Sequence, residues 1–414
     1  MRFNLKALLV LGVALALGLG AAQQAVTLNM WSWRPEDDAV YKGIIARFEQ
    51  QNPGIRVVFT PYRNVEYNTI LTTALQAGTG PDIMQTRAYG GLAQWADAGS
   101  LLPLDGLVPR LAQFNREVLI AATSQVDGKI YGVPFATQTL GIFYNAELLE
   151  RHNVAVPRTR DEFKVSLVNL KARGVTPLAN GGADGWTLEV MFGVLGPPVY
   201  GGTAFFDATR KGERTFEDPA FIRALEEMKA HANWMPRNFM GVGYEDMRQL
   251  FLAGRAAYFI GGSFEIGYFR AQNPNLRFGF MPGPPATLGQ TPVATTFADG
   301  NWSINARTQH RDAAVRFINY TASVEFGQMF TDKLAQISPV PGVVPVEPLL
   351  ARIVEWNKNS TPYLMLVGYR WKTPTGSTLL QSGLQALMSG AATPEKVAND
   401  VQRGIATWHR PFQR

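Results

Sequence analysis

From residue 26 onward, short apolar runs alternate with segments whose apolar residues recur every three or four positions. Residues 26–31 (VTLNMW) read as a buried strand, and 36–51 carry Val40, Ile44, Ile45 and Phe48 at helical spacing. Asn52-Pro53-Gly54 stops that helix. Residues 55–61 (IRVVFTP) predict a second strand, 65–76 an amphipathic helix and 81–86 (PDIMQT) a third strand. Three strand–helix units in close succession predict a parallel sheet with covering helices. A helical stretch is expected to run to Thr123. Residues 129–145 (KIYGVPFATQTLGIFYN) then form a long strand-rich passage, with Gly and Pro inside it, that can cross between lobes.

Helical patterns recur at 161–173, at 219–233 and at 245–253, the second with Asp218 as N-cap and Pro219 at the first helical position. Residues 256–260 (AAYFI) are strand-like, 281–292 form a Pro/Gly-dense loop and 300–305 predict another strand. Helices are expected at 311–320, 324–334, 349–357, 377–388 and 394–408, with no internal repeat.

The first residues change the picture of where the chain works. Arg2 and Lys6 precede an apolar run from Ala7 to Leu19, and Gly20, Ala21 and Ala22 lead into Gln23 and Gln24. That order is a secretory signal peptide over 1–22, too short in its apolar core to favour a spanning anchor. Its removal takes two cations, so a net charge of +6 falls to +4 in the mature chain. With 39 basic residues spread among 33 acidic ones and no basic run, nucleic acid is not an expected partner. The absence of Cys excludes disulfides, thiolate metal sites and a cysteine nucleophile.

Catalytic and metal chemistry find little support. His152, His231, His310 and His409 are scattered without ligand spacing, so no metal site is expected. Gly261-Gly262-Ser263-Phe264-Glu265 lacks the closing Gly of a nucleophile elbow, and Gly241-Val242-Gly243 lacks the third Gly of a dinucleotide fingerprint. No catalytic residue and no cofactor are therefore assigned.

Aromatic residues instead gather where strands end and loops begin, beside planar hydrogen-bonding partners. A pyranose presents apolar C–H faces and a ring of hydroxyls, which calls for an aromatic platform flanked by such groups. Trp33 with Arg34, Arg87 with Tyr89, Asp184 with Trp186, Phe264 with Glu265, Asp299 and Asn301 with Trp302, and Arg370 with Trp371 all fit that description. Trp31 leans to packing, and Trp95, Trp234, Trp356 and Trp408 fall in helical patterns and are left to the core. Trp302 and Trp371 are balanced between core and site.

The order of VTLNMW, FEQQNPGIRVVF, AGTGPDIM, ADAGSLLPLD, GKIYGVPF, FYNAELLE, LFLAGRAAYFIGGS and RDAAVRFINYTASVEFGQMF resembles that of ABC-transporter extracellular solute-binding proteins of the carbohydrate-uptake, maltose-binding-protein-like group. The resemblance implies an α/β, two-lobed periplasmic-binding-protein fold with a ligand cleft between lobes joined by crossing strands. The expected division is 23–136 plus 300–345 for the N-terminal lobe and 137–299 plus 346–414 for the C-terminal lobe. It implies no enzymatic activity, a sugar ligand, ABC permease subunits as partners, and a monomer in the periplasm. The chain departs from many members in lacking an N-terminal lipid-attachment Cys, which favours an untethered protein.

The positions matching the family's ligand loops are Trp33 and Arg34, Arg87 and Tyr89, Gln138 and Thr139, Trp186, Ser263 to Glu265, Asp299 to Trp302, and Arg370 with Trp371. Trp33, Trp186, Trp302 and Trp371 are the stacking candidates; Arg87, Gln138, Glu265, Asp299, Asn301 and Arg370 are the hydrogen-bonding ones. Two alternatives stay open. Arg34, Arg63, Arg87 and Arg370 could form an anion pocket for a phosphorylated polyol such as glycerol phosphate or a glycerophosphodiester, or paired carboxylates could make a secreted carbohydrate-active enzyme.

Overall fold

The computed structural model describes residues 25–413, so the signal segment expected over 1–22 lies outside the described residues. Nine strands form one sheet: β1 (Val26–Ser32), β2 (Ile55–Pro61), β3 (Ile83–Arg87), β4 (Val133–Asn145), β5 (Thr176–Leu178), β6 (Ala256–Gly262), β7 (Phe278–Met281), β8 (Thr295–Ile304) and β9 (Thr361–Pro362). Their order is β2-β1-β3-β8-β4-β6-β5, with β7 beside β4 and β9 beside β8. The first three strands pair in parallel, as their strand–helix alternation requires, and the expected helices over 36–51 and 65–76 are Asp38–Gln51 and Asn64–Ala77.

Two lobes share this sheet because β4 and β8 each serve both. From Val133 to Leu140, β4 pairs with β8, and from Leu140 to Tyr144 it pairs with β6. β8 pairs with β4 from Thr295 onward and with β3 from Gly300 to Ile304. The β4–β8 register shifts between Pro134 and Thr137, where proline has no N–H to give the ladder. One apolar core packs Met30, Phe48, Trp302 and Phe317 around the first lobe. The second lobe is covered on both faces, by Leu188, Phe221 and Leu384 in one cluster and by Phe143, Phe251 and Phe269 in the other.

Several elements differ from the periodicity reading. The helical stretch expected up to Thr123 is broken into a helix at Gly90–Asp97, a 3-10 turn at Pro109–Gln113 and a short helix at Arg116–Ile120, the last starting afresh with Asn115 accepting from the Glu117 N–H. Helices Gly185–Leu195 and Gly202–Lys211 lie where no helix is expected. The first is buried from Thr187 to Leu195 and has no polar face to produce a helical period. β8 begins at Thr295, five residues before the expected start at 300, because Asp299 and Gly300 interrupt an otherwise strand-like run. No described helix is long and apolar enough to cross a membrane.

Candidate functional site

Between the lobes lies a cavity of about 340 Å³ walled by both. Trp33, Arg34, Arg87, Trp186, Phe264, Asp299 and Arg370 border it. Trp33 and Arg87 sit at the carboxyl ends of β1 and β3, where open α/β sheets leave a crevice. Asn64, Val65 and Tyr244 also border a second hollow of about 550 Å³ that continues the cleft past Glu36, Arg248 and Tyr268.

On the first-lobe wall, the Arg87 guanidinium lies over the Trp33 ring at 3.9 Å from its centroid and donates to Asn64 Oδ1 at 2.9 Å. Trp33 is only 2% exposed and also contacts Tyr67 and Phe135. Its backbone N–H donates to Gln85 Oε1, which also accepts from Ser32. Gly300 makes room for it, as a Cβ there would stand 2.4 Å from the indole. The expected platform therefore supports Arg87 and offers the cavity little ring surface. Burial lowers the Arg87 pKa to about 10, with Asp299 opposing that shift and Arg370 adding to it. Burial pushes the Asp299 carboxyl up, against the pull of Arg87, Arg34 and Arg370.

The second-lobe wall is built on helix starts. Asp184 Oδ2 accepts from the Tyr244 N–H at 2.8 Å, tying the helix Gly185–Leu195 to the helix Tyr244–Leu252. That tie sets the rings of Trp186 and Tyr244 edge to face at 4.6 Å. One turn beyond Trp186, Glu189 accepts from Ser377 Oγ at 2.9 Å and Gln381 Nε2 at 2.6 Å. Burial raises the Glu189 pKa against Gln381, Arg370 and Ser377. Trp186 Nε1 and Asn68 Oδ1 have no hydrogen-bond partner among the described residues, leaving one donor and one acceptor on residues that line the cavity.

Buried charges span the cleft. Arg34 pairs with Asp37 at 2.6 Å and approaches Glu36 at 3.6 Å, while its Nη2 lies 3.5 Å from the Phe264 carbonyl of the other lobe. Glu36 reaches Arg248 at 3.3 Å, and Arg248 in turn pairs with Glu265 at 2.9 Å. Arg248 is held between the rings of Tyr244 and Tyr268, each 4.0 Å away, and Tyr244 donates its O–H to Glu265 at 2.6 Å. Burial opposes the charge on Arg34, but Asp37 and Glu36 outweigh it and hold the guanidinium well above its ordinary pKa.

Eight expected contacts are placed elsewhere, each for a visible reason. Trp302 is fully buried in the first-lobe core against Tyr41 and Phe135, so packing replaces its stacking role. Asn301 is fully buried and donates to the Ala121 carbonyl. Trp371 donates to the Val367 carbonyl and meets Tyr89 edge-on, outside the cavity wall. Tyr89 takes a left-handed φ of 58°, which costs a side-chain-bearing residue about 1–3 kcal/mol, and its hydroxyl accepts from the Ala298 N–H. Gln138, Thr139 and Ser263 form a buried polar chain behind the cavity, and Glu265 is consumed by Arg248 and Tyr244.

Sequence reasoning missed Asn64, Asn68, Glu189, Tyr244, Tyr363 and Gln381 on the wall. Three carried a usable signal: Asn64 and Asn68 share a helix face at i and i+4, and Glu189 interrupts an apolar helix. Among the described residues, no three His, Asp or Glu side chains gather into a metal-ligand set.

The family described as bacterial extracellular solute-binding protein matches residues 32–327. A multiple sugar-binding protein of Streptococcus mutans is 27% identical over 343 residues, covering 79% of this chain and 79% of the relative. The maltodextrin-binding protein MdxE of Bacillus subtilis is 24% identical over 372 residues, covering 86% of this chain and 82% of that protein. Among solved structures, RafE in complex with raffinose is similar with a TM-score of 0.75 and 25% identity, covering 94% of this chain and 100% of RafE. A chitin oligosaccharide binding protein shares the fold with a TM-score of 0.79 at 23% identity, over 93% of this chain and 99% of its own.

Proposed function

Because this chain belongs to the bacterial extracellular solute-binding protein family, we propose that it is the substrate-binding component of an ABC importer, exported as a free protein, that binds a neutral mono- or oligosaccharide without transforming it. Several relatives are named for sugars, among them the multiple sugar-binding and maltodextrin-binding proteins. The observation that carries the reading is the mixed wall of one cavity. Trp186, Tyr244, Phe297 and Tyr363 supply apolar ring surface, while Arg87, Arg370, Asn68, Asp299 and Glu189 supply planar polar groups. Sugar hydroxyls donate and accept at once, so they can meet guanidiniums and carboxylates side by side. The continuation of the cleft past Tyr268 leaves room for a second sugar unit.

Ligand groups from both lobes imply closure on binding, driven by contacts that exist fully only in the closed form. The lobes divide as 23–136 plus 300–345 and 137–299 plus 346–414, with β4 and β8 as the crossing strands. The closed monomer then docks on permease subunits from the outer face of the membrane.

A phosphorylated polyol is the second reading, favoured by Arg87 and Arg370, neither of which forms an ion pair among the described residues. Asp299 and Glu189 on the same wall oppose an anion unless protonated. Calorimetric titration of neutral mono- to tetrasaccharides against polyol phosphates separates the two. Tight, salt-insensitive binding of a neutral sugar supports the proposal; salt-sensitive binding of phosphate esters alone overturns it. Turnover of an oligosaccharide by purified protein would show an enzyme instead.

A further inference from the structure

We infer that Gln138 is a positioning residue that aims the Asp299 carboxylate into the ligand cavity and ties it to the junction of the two lobes. This rests on the reading of that cavity as the ligand site. Gln138 is fully buried on β4 and is absent from the cavity wall, so it touches no ligand there. Its amide is fully used. Nε2 donates to Asp299 Oδ2 at 3.2 Å and to Gln336 Oε1 at 2.8 Å, and Oε1 accepts from Ser263 Oγ at 2.7 Å. Ser263 is itself held by the Thr139 N–H, and Thr139 Oγ1 donates to Asn357.

The partners come from three directions. Asp299 is on β8, Ser263 follows β6 in the second lobe, and Gln336 follows the helix Val324–Leu334, whose Phe330 packs in the first-lobe core. Gln138 thus stands where the crossing strand passes between lobes, joined to one side chain of each and to one on the cavity. A glutamine suits the position for a chemical reason. An ionised carboxylate only accepts, so the residue facing it must donate, while Ser263 needs an acceptor from the same side chain. A carboxylate at 138 would repel Asp299, and an ammonium would bring an unneeded buried charge.

The charged groups facing Asp299 are Arg87 from β3, Arg34 from the segment after β1 and Arg370 from the second lobe. Burial already pushes its carboxyl up, and the Gln138 hydrogen bond is one of the forces holding it down. Removing that bond raises the Asp299 midpoint further, so binding that needs the carboxylate fails at a higher pH.

The test is Gln138→Met, which keeps length and loses both hydrogen-bonding functions. Carbon NMR of aspartate-labelled, unliganded protein, with Asp299 assigned through Asp299→Asn, is expected to show its titration midpoint displaced upward. Affinity for the bound sugar is expected to fall roughly tenfold, and that loss is expected to vanish in an Asp299→Asn background, where there is no carboxylate to aim. Ser263→Ala, which removes only a hydroxyl, is expected to move the midpoint the same way by less. It also decides the matter if Gln138→Met does not fold. An unmoved midpoint, or an equal affinity loss with and without Asp299, overturns the proposal. A wild-type protein that binds no sugar overturns the sugar reading, whereas the Asp299 titration still judges Gln138.

Discussion

Glu36→Gln removes the first-lobe anion of the cross-cleft network while keeping side-chain shape. At 3.3 Å from Arg248, and with an effective dielectric constant of about 20, the bare attraction is about 5 kcal/mol. Much of that is offset by desolvation, since Glu36 is only 17% exposed and Arg248 4%. Arg248 also keeps Glu265 at 2.9 Å and Glu245 at 3.5 Å, so it is not left as an unpaired buried charge. The net loss is then about 1–2 kcal/mol, well below the 3–5 kcal/mol of stranding a buried ion. Under the proposed closure all of it falls on the closed arrangement, because opening the cleft would part Glu36 from Arg248 in either protein. The closed-to-open ratio is expected to drop about tenfold, and apparent affinity weakens by up to the same factor, depending on how populated the closed form was. Small-angle scattering of the unliganded protein reads the opening as a larger radius of gyration, and calorimetry reads the affinity. Unchanged scattering together with unchanged affinity would refute a bridging role for Glu36.

Trp186→Ala removes a ring beside Tyr244 and the free indole N–H, and is expected to weaken sugar binding by about 2–3 kcal/mol and, because the ring also packs against both second-lobe apolar clusters, to lower the melting temperature, read by titration and thermal unfolding. Arg87→Lys keeps the charge but loses the planar group lying on Trp33; an affinity loss of about tenfold is expected, and wild-type affinity would show that charge alone matters. Buried His231, its pKa lowered to about 4 by desolvation, is neutral in the folded chain. The unfolded chain, with an ordinary His pKa of about 6.5, binds the extra proton, so this contribution to stability is complete above pH ~6.5 and declines as pH falls toward ~4, by about 3 kcal/mol in all. Urea unfolding at several pH values checks it, and His231→Gln should flatten that part of the profile.

How much of the site was legible follows from how each residue reaches it. Trp33 and Arg87 could be found because parallel strands must end at the crevice, and the strands were visible as apolar runs. Asn68, Tyr363 and Gln381 were hidden because they come from separate parts of the chain that only the packed helices bring together. Gln138 and Ser263 were assigned to the ligand from their place in matching loops; the fold instead puts them behind the wall, where a buried amide must be satisfied by its neighbours.

By itself the sequence determined the parallel strand–helix start, the long crossing passage around β4, most helices of the C-terminal half and the kinship to a binding-protein family. These depend on local periodicity, caps and breakers, which each segment carries independently of its partners. Tertiary structure alone decided which aromatic residues line the cavity. A side chain's exposure depends on what packs across from it, and so Trp302 on β8 went to the core, Trp33 just after β1 went under Arg87, and Trp186 at the start of a helix was left on the cavity wall.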